Sequence, residues 1–214
     1  MSGRPKAPRT PRRPLEWDDT DIVTVNPGTA LWRIHRTRGP FPSAWSDYRF
    51  YGPLPGMRWD PHPAPTAAHT DCAVLYTAYD LPTCIAEVSH PAGLVDTVTA
   101  SPFATSWSPT RPLRLLDLTR QWPLRMDATH ALMFAPRSTC RNWAHEIWKT
   151  ARSEGKQLDG LEVQSTVTGS NMAVLFSDSQ NALPAAPAFT SPLSGPMVFT
   201  IAANLAARVQ WPII

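Results

Sequence analysis

The order of apolar and polar positions divides the chain into short elements. Residues 31-LWRIHR-36 follow the turn signal Asn26-Pro27-Gly28 and read as a strand. Residues 39–70 are rich in Pro, Gly and His and are expected to be mostly loop. The apolar run 72-CAVLYTAY-79 predicts a second strand. Asp80 then offers a helix cap, with Pro82 in the first turn and Glu87 near the far end. Another strand is predicted at 113-LRLLDL-118. The clearest helix runs from about 138 to 153. There Cys140, Trp143, Ala144, Ile147, Trp148 and Ala151 recur at steps of three and four, and Gly155 stands ready to end it. Further strands are expected at 161-LEVQS-165, 172-MAVLFS-177 and 196-PMVFTIA-202, with a Pro/Ala loop over 182–196. Strands dominate, no regular βαβ alternation is seen, and no repeat is visible, so the expected class is α+β.

Composition narrows the picture. The chain has 214 residues, 43% hydrophobic and 17% charged, which suits one globular domain with appendages. Its net charge of +3 comes from the N-terminus. Residues 1–14 hold five basic residues and no acid, which leaves 15 basic against 17 acidic residues, a balance of −2, in the rest. That arm reads as solvated and disordered, and the body shows no basic excess of the kind a nucleic-acid binder carries. Cys72, Cys84 and Cys140 are odd in number and form no C-x-x-C, as expected of reduced thiols in the cytoplasm. No apolar segment opens the chain as a signal peptide would. The best membrane candidate, 197–207, has 11 residues and falls short of the ~20 that span a bilayer.

Several chemistries lack their motifs. The dinucleotide fingerprint G-x-G-x-x-G, the P-loop and the nucleophile elbow G-x-S-x-G do not occur, and His145-Glu146 is followed by Lys149 where a zincin needs histidine. His62 and His69 share a loop, a pattern more often incidental than a metal site. Among five arginines between residues 31 and 60, Arg36, Arg38 and Arg49 read as a solvated face. Arg33 differs, because it alternates with Trp32 and Ile34 in a strand and needs an anionic partner on its own face. Arg58 lies in 56-GMRWDP-61, where Gly56 permits a turn and Trp59 anchors the chain. A guanidinium fork at either place suits phosphate. Glu87 stands alone among apolar neighbours and admits three readings: an exposed helix residue, a structural partner of an arginine, or a catalytic carboxylate. Ser165 falls at a strand end, with no histidine at a distance that suggests a nucleophile.

Taken in order, Arg33 in 31-LWRIHR-36, Gly56-x-Arg58-Trp59-Asp60-Pro61, 74-VLYTAYDLPTCIAEV-88, 159-DGLEVQS-165 and 172-MAVLF-176 resemble the RES domain family over residues 30–180. The resemblance implies an ADP-ribosyltransferase-like α+β fold with a central split β-sheet and flanking helices. It divides the chain into a basic arm, 1–28, and one catalytic domain, 29–214. It implies a toxin of a toxin–antitoxin pair that cleaves the nicotinamide–ribose bond of NAD, with water or phosphate as acceptor. Carried over by position, Glu87, Arg33 and Ser165 would be catalytic, and Arg33, Arg58, Tyr76 and Ser165 would hold the substrate. No metal is expected, NAD is the substrate, and the implied partner is a helix-turn-helix antitoxin. Nucleic acid and membrane are not expected partners, and the expected location is cytoplasmic. The chain departs from the family where Asp60-Pro61-His62-Pro63 and a Pro/Ala/His insert replace a glycine-bearing Asn-x-x-Gly-like turn. Three alternatives stay open at this point: transfer of ADP-ribose to a protein, an RNA-targeting toxin, and a non-enzymatic interaction domain.

Overall fold

The structure, a computed structural model, describes residues 5–214. Its strands are β1 (Ile22–Val25), β2 (Leu31–Arg36), β3 (Tyr51–Gly52), β4 (Ala67–Ala68), β5 (Val74–Ala78), β6 (Pro102–Trp107), β7 (Leu113–Asp117), β8 (Gly160–Gln164), β9 (Asn171–Phe176) and β10 (Phe189–Pro192). Its helices are α1 (Leu81–Ser89), α2 (Trp122–Arg125), α3 (Arg137–Ser153) and α4 (Pro196–Val209). Eight strands form one mixed sheet in the order β1-β7-β8-β9-β5-β2-β6-β10, and β3 and β4 pair separately. Among the described strands only β7 and β8 pair in parallel.

The sheet nearly parts in its middle. β2 pairs with β6 from Leu31↔Trp107 to Arg36↔Pro102, but meets β5 only at Trp32↔Ala78. This divides the sheet into β1-β7-β8-β9-β5 and β2-β6-β10, the split arrangement that the family resemblance implied. Helix α3 closes one face of the larger half. Its Cys140, Trp143, Ala144 and Ile147 are buried against Leu161, Val163, Val174 and Phe176, so the apolar stripe read from the sequence is the core contact. On the smaller half, Leu81 and Ile85 of α1 pack with Val198, Ala202 and Ala206 of α4. The three cysteines are buried and unbridged. Among the described residues no helix is long and apolar enough to cross a membrane.

Several expected elements differ. The strand expected at 196–202 is instead the start of α4. Pro196 sits in its first turn, and Val198, Ala202 and Ala206 repeat every four residues to give a narrow buried stripe. The apolar and β-branched run MVFTIA resembles a buried strand because Met197 and Phe199 are apolar yet exposed. The Pro/Ala loop contains β10, and β1 and β6 were not visible at all. The polar Thr105 and Ser106 break the apolar run of β6, yet both are buried in the sheet.

The solvated arm is also revised. Residues 1–4 lie outside the described residues, but from Lys6 the arm lies along the body. The Pro8 carbonyl accepts from the buried Trp143 indole N–H (2.8 Å), the Arg9 carbonyl from Asn142 (3.1 Å), and the Lys6 carbonyl from the Thr129 amide (2.8 Å). A buried indole N–H requires an acceptor, and a proline-rich segment supplies bare carbonyls.

Candidate active site

Where β2 and β5 diverge, a cleft of about 590 Å³ opens. Arg33, Arg58, Tyr76, Glu87 and Ser165 all line it. They come from five separate pieces of chain: β2, the loop before β4, β5, α1 and the turn after β8.

Local structure explains how each is held. Asp80 caps α1 by accepting from the Thr83 amide at 2.7 Å, and Pro82 occupies the first turn. Leu81, Ile85 and Ala86 then anchor the helix in the core, which fixes Glu87 at the cleft. Opposite it, the Ser165 backbone is tied by its own amide to the Ser170 carbonyl (2.8 Å) and by its carbonyl to the Gly169 amide (3.0 Å). Gly169 has φ +78°, which glycine tolerates best, and so makes that tight return possible. The Ser165 hydroxyl accepts from the amides of Val167 (3.1 Å) and Thr168 (2.9 Å) and donates to Glu87 Oε1 at 2.6 Å.

Arg33 does not find the anionic partner that the sequence pattern called for. Its Nη1 donates to the carbonyls of Ala44 (3.1 Å), Trp45 (2.8 Å) and Asp47 (2.8 Å), while the Asp47 carboxylate accepts from the Ala44 amide. Three carbonyl dipoles satisfy one end of the guanidinium without neutralising it, and burial lowers its pKa to about 10. Arg58 donates from Nη1 to the Ala135 carbonyl and lies 3.5 Å from Cys140 Sγ. Among the described residues neither arginine has a carboxylate within ion-pair distance. The Tyr76 phenol donates to Asp60 Oδ1 (2.8 Å) and accepts from the Trp59 amide (3.1 Å). Burial first, and then the Asp60 carboxylate, hold its pKa well above the ordinary value.

Arg49 is not part of a solvated face, because it pairs with the fully buried Asp60 at 2.5 Å. Two further cleft residues went unnoticed in the sequence. His35 is pinned between the Ser43 carbonyl (2.8 Å) and Thr105 Oγ1 (3.0 Å), and burial lowers its pKa. Arg137, at the start of α3, also lines the cleft. The sequence signal for His35 was its place two residues after Arg33 in β2. Arg137 had none, because the start of α3 carries no side-chain cap.

A charge arrangement of this kind can grip an anionic, phosphate-bearing ligand and present one carboxylate to it. Comparison with known proteins agrees with the order of the motifs. A family profile described as the RES domain matches residues 30–194. No curated protein matches the chain significantly. Among solved structures, a chain from the crystal structure of the M. tuberculosis MbcT–MbcA toxin–antitoxin complex aligns with a TM-score of 0.54 at 17% sequence identity, covering 86% of this chain and 94% of that one. At that identity the likeness concerns the fold.

Proposed function

Because the chain belongs to the RES domain family, we propose that it is a toxin that degrades NAD by cleaving the bond between nicotinamide and ribose. The observation that supports this reading best is the meeting of Arg33, Arg58 and a serine-held Glu87 in one cleft. In the reaction, the N-glycosidic bond breaks and its electron pair leaves with nicotinamide. The ring nitrogen, positively charged in NAD, becomes neutral, so departure needs no strong general acid. The ribose carbon left behind develops oxocarbenium character. A carboxylate fixed beside that sugar stabilises the charge, as acids do in glycosidases. Glu87 is the group for this task, and Ser165 keeps it oriented. Arg33 and Arg58 bring to the diphosphate two guanidinium groups that have no carboxylate partner among the described residues. Tyr76 walls the pocket with an apolar ring. Water, which gives up a proton to solvent, or inorganic phosphate then bonds to the ribosyl carbon.

The reading includes a partner and a place. An enzyme that consumes NAD in its own cytoplasm starves its host, so a helix-turn-helix antitoxin is expected to hold it in check. The deciding experiment incubates purified protein with NAD and follows nicotinamide release, with and without phosphate. ADP-ribose alone signals hydrolysis, and its phosphorylated form signals phosphorolysis. Label fixed on a lysate protein would instead signal ADP-ribosyl transfer. Replacing Glu87→Gln is expected to slow turnover about a hundred- to a thousand-fold with the melting curve preserved. A folded Glu87→Gln protein that works at the parent rate removes Glu87 from the mechanism.

A further inference from the structure

The insert that departs from the family pattern, around Asp60, His62 and His69, is built about a single buried carboxylate. Asp60 is 0% exposed. Oδ1 accepts from the Tyr76 phenol (2.8 Å) and from Arg49 Nη2 (2.5 Å), and Oδ2 accepts from the Leu54 amide (2.8 Å). His62 Nδ1 stands 4.0 Å from Oδ2, and its Nε2 meets the Arg49 carbonyl at 3.1 Å. Gly52 is part of the same arrangement. A Cβ there would lie 2.5 Å from His62 Nδ1 and 3.0 Å from Arg49 Nη1, so any side chain would push this ring of donors apart.

A carboxylate buried this deeply is costly unless its oxygens are filled, and here three donors fill them. One of those donors belongs to the cleft. The Tyr76 oxygen also accepts from the Trp59 amide, so a short chain of bonds runs from Asp60 through the phenol to the backbone between Arg58 and Asp60. Tyr76, Arg58 and Trp59 are all cleft walls.

We infer that Asp60 is a positioning residue of the cleft: through the Tyr76 phenol it fixes both the Tyr76 ring and the Arg58–Trp59 segment that faces the substrate. This inference rests on the NAD-cleaving reading for its kinetic test. It also separates two jobs of Asp60. Its charge balances Arg49, which serves stability. Its Oδ1 accepts from Tyr76, which serves the cleft. An asparagine keeps that acceptor and loses the charge, an alanine loses both, and Tyr76→Phe keeps the charge but removes both phenol bonds, to Asp60 and from the Trp59 amide.

The test measures thermal melting and NAD turnover for Asp60→Ala, Asp60→Asn and Tyr76→Phe. Asp60→Ala and Tyr76→Phe are expected to lose about ten- to a hundredfold in kcat/KM. Asp60→Asn should stay close to the parent. Melting should rank them differently, with both Asp60 variants lowered and Tyr76→Phe nearest the parent. If activity follows melting, so that Asp60→Asn is as slow as Asp60→Ala, or if Tyr76→Phe works at the parent rate, the inference is overturned. Should Asp60→Ala not fold, the contrast between Asp60→Asn and Tyr76→Phe decides it alone. If the parent consumes no NAD, the functional reading falls. The positioning inference is then decided by the Tyr76 ring signals of ¹³C-tyrosine-labelled protein, assigned by their loss in Tyr76→Phe. A shift on Asp60→Ala that Asp60→Asn reverses sustains it, and unchanged signals overturn it.

Discussion

Ser165 has no acceptor capacity to spare. Two backbone amides occupy its oxygen, so its proton is directed to Glu87. That geometry suits a residue that orients a carboxylate better than a nucleophile. Ser165→Ala therefore removes one hydrogen bond to a charged group, about 1.5–3 kcal/mol, and is expected to slow NAD turnover roughly ten- to a hundredfold. A Ser165→Ala protein that turns over NAD as fast as the parent refutes the orienting role. A different residue contributes a pH dependence of its own to stability. Glu162, buried in β8, has its pKa raised to about 7 from 4.5, first by burial and further by Asp117. Hydrogen bonds from Tyr79 (2.5 Å at Oε2) and Asn171, and the charge of Arg120, oppose the shift. A raised folded pKa means that the native state binds the proton more tightly than the unfolded chain. The contribution is thus complete below about 4.5 and is lost as pH rises through about 7, an amount of about 3 kcal/mol. Chemical denaturation at several pH values should show this fall in the difference between the parent and Glu162→Gln. Of the residues that line the cleft, Arg33, Arg58, Tyr76, Glu87 and Ser165 could be named from the sequence because the family resemblance carries them by position. Asp60 was visible only as a departure from a pattern, since the donors that define it come from residues 49, 54 and 76, and no local spacing announces such a meeting.

Helix α1 shows what makes an element readable. Asp80, Pro82 and the buried pair Leu81 and Ile85 are all local signals, and they agree with one another. Asp80 accepts from the amide and the hydroxyl of Thr83, at 2.7 and 2.9 Å. Asp80→Ala is expected to cost about 1 kcal/mol of stability, read as a lower denaturant midpoint with an unchanged slope. An unchanged midpoint would mean that the tertiary contacts of α1 hold it without a cap. Helix α4 shows the opposite case. Its apolar residues do not respect its buried face, because Met197 and Phe199 are exposed while the small Ala202 and Ala206 are buried. Period therefore misleads there, and the packing partners decide the conformation: Leu81 and Ile85 of α1 with Val95, Ala104 and Leu193. β6 was hidden for a similar reason. Thr105 and Ser106 are buried because His35, Thr190 and the neighbouring strands satisfy them, and that satisfaction is not local.

The molecule as a whole depends on two long-range arrangements. One is the near-break between β2 and β5, which leaves a cleft inside a continuous sheet and gathers groups from five segments. The other is the N-terminal arm, which looks like a solvated basic tail by composition but serves as a strap. Its carbonyls at Lys6, Pro8 and Arg9 reach Thr129, Trp143 and Asn142, all around α3. Trp143 is fully buried, so removing Pro8 leaves its indole N–H without the acceptor it now has. Deletion of residues 1–10 is expected to cost about 1–3 kcal/mol, a fall in melting temperature of roughly 2–4 °C for each kcal/mol. NAD turnover at 25 °C should remain, because among the described residues none of the arm lines the cleft. This separates the arm's two possible jobs. If the arm acts as a strap, the truncated protein melts earlier and still consumes NAD. If the truncated protein melts with the parent, the docking of the arm contributes nothing to stability. If instead it stays folded and stops consuming NAD, the arm reaches the reaction by a route that the cleft geometry does not contain, and the assignment of catalysis to Glu87, Ser165 and the two arginines is incomplete.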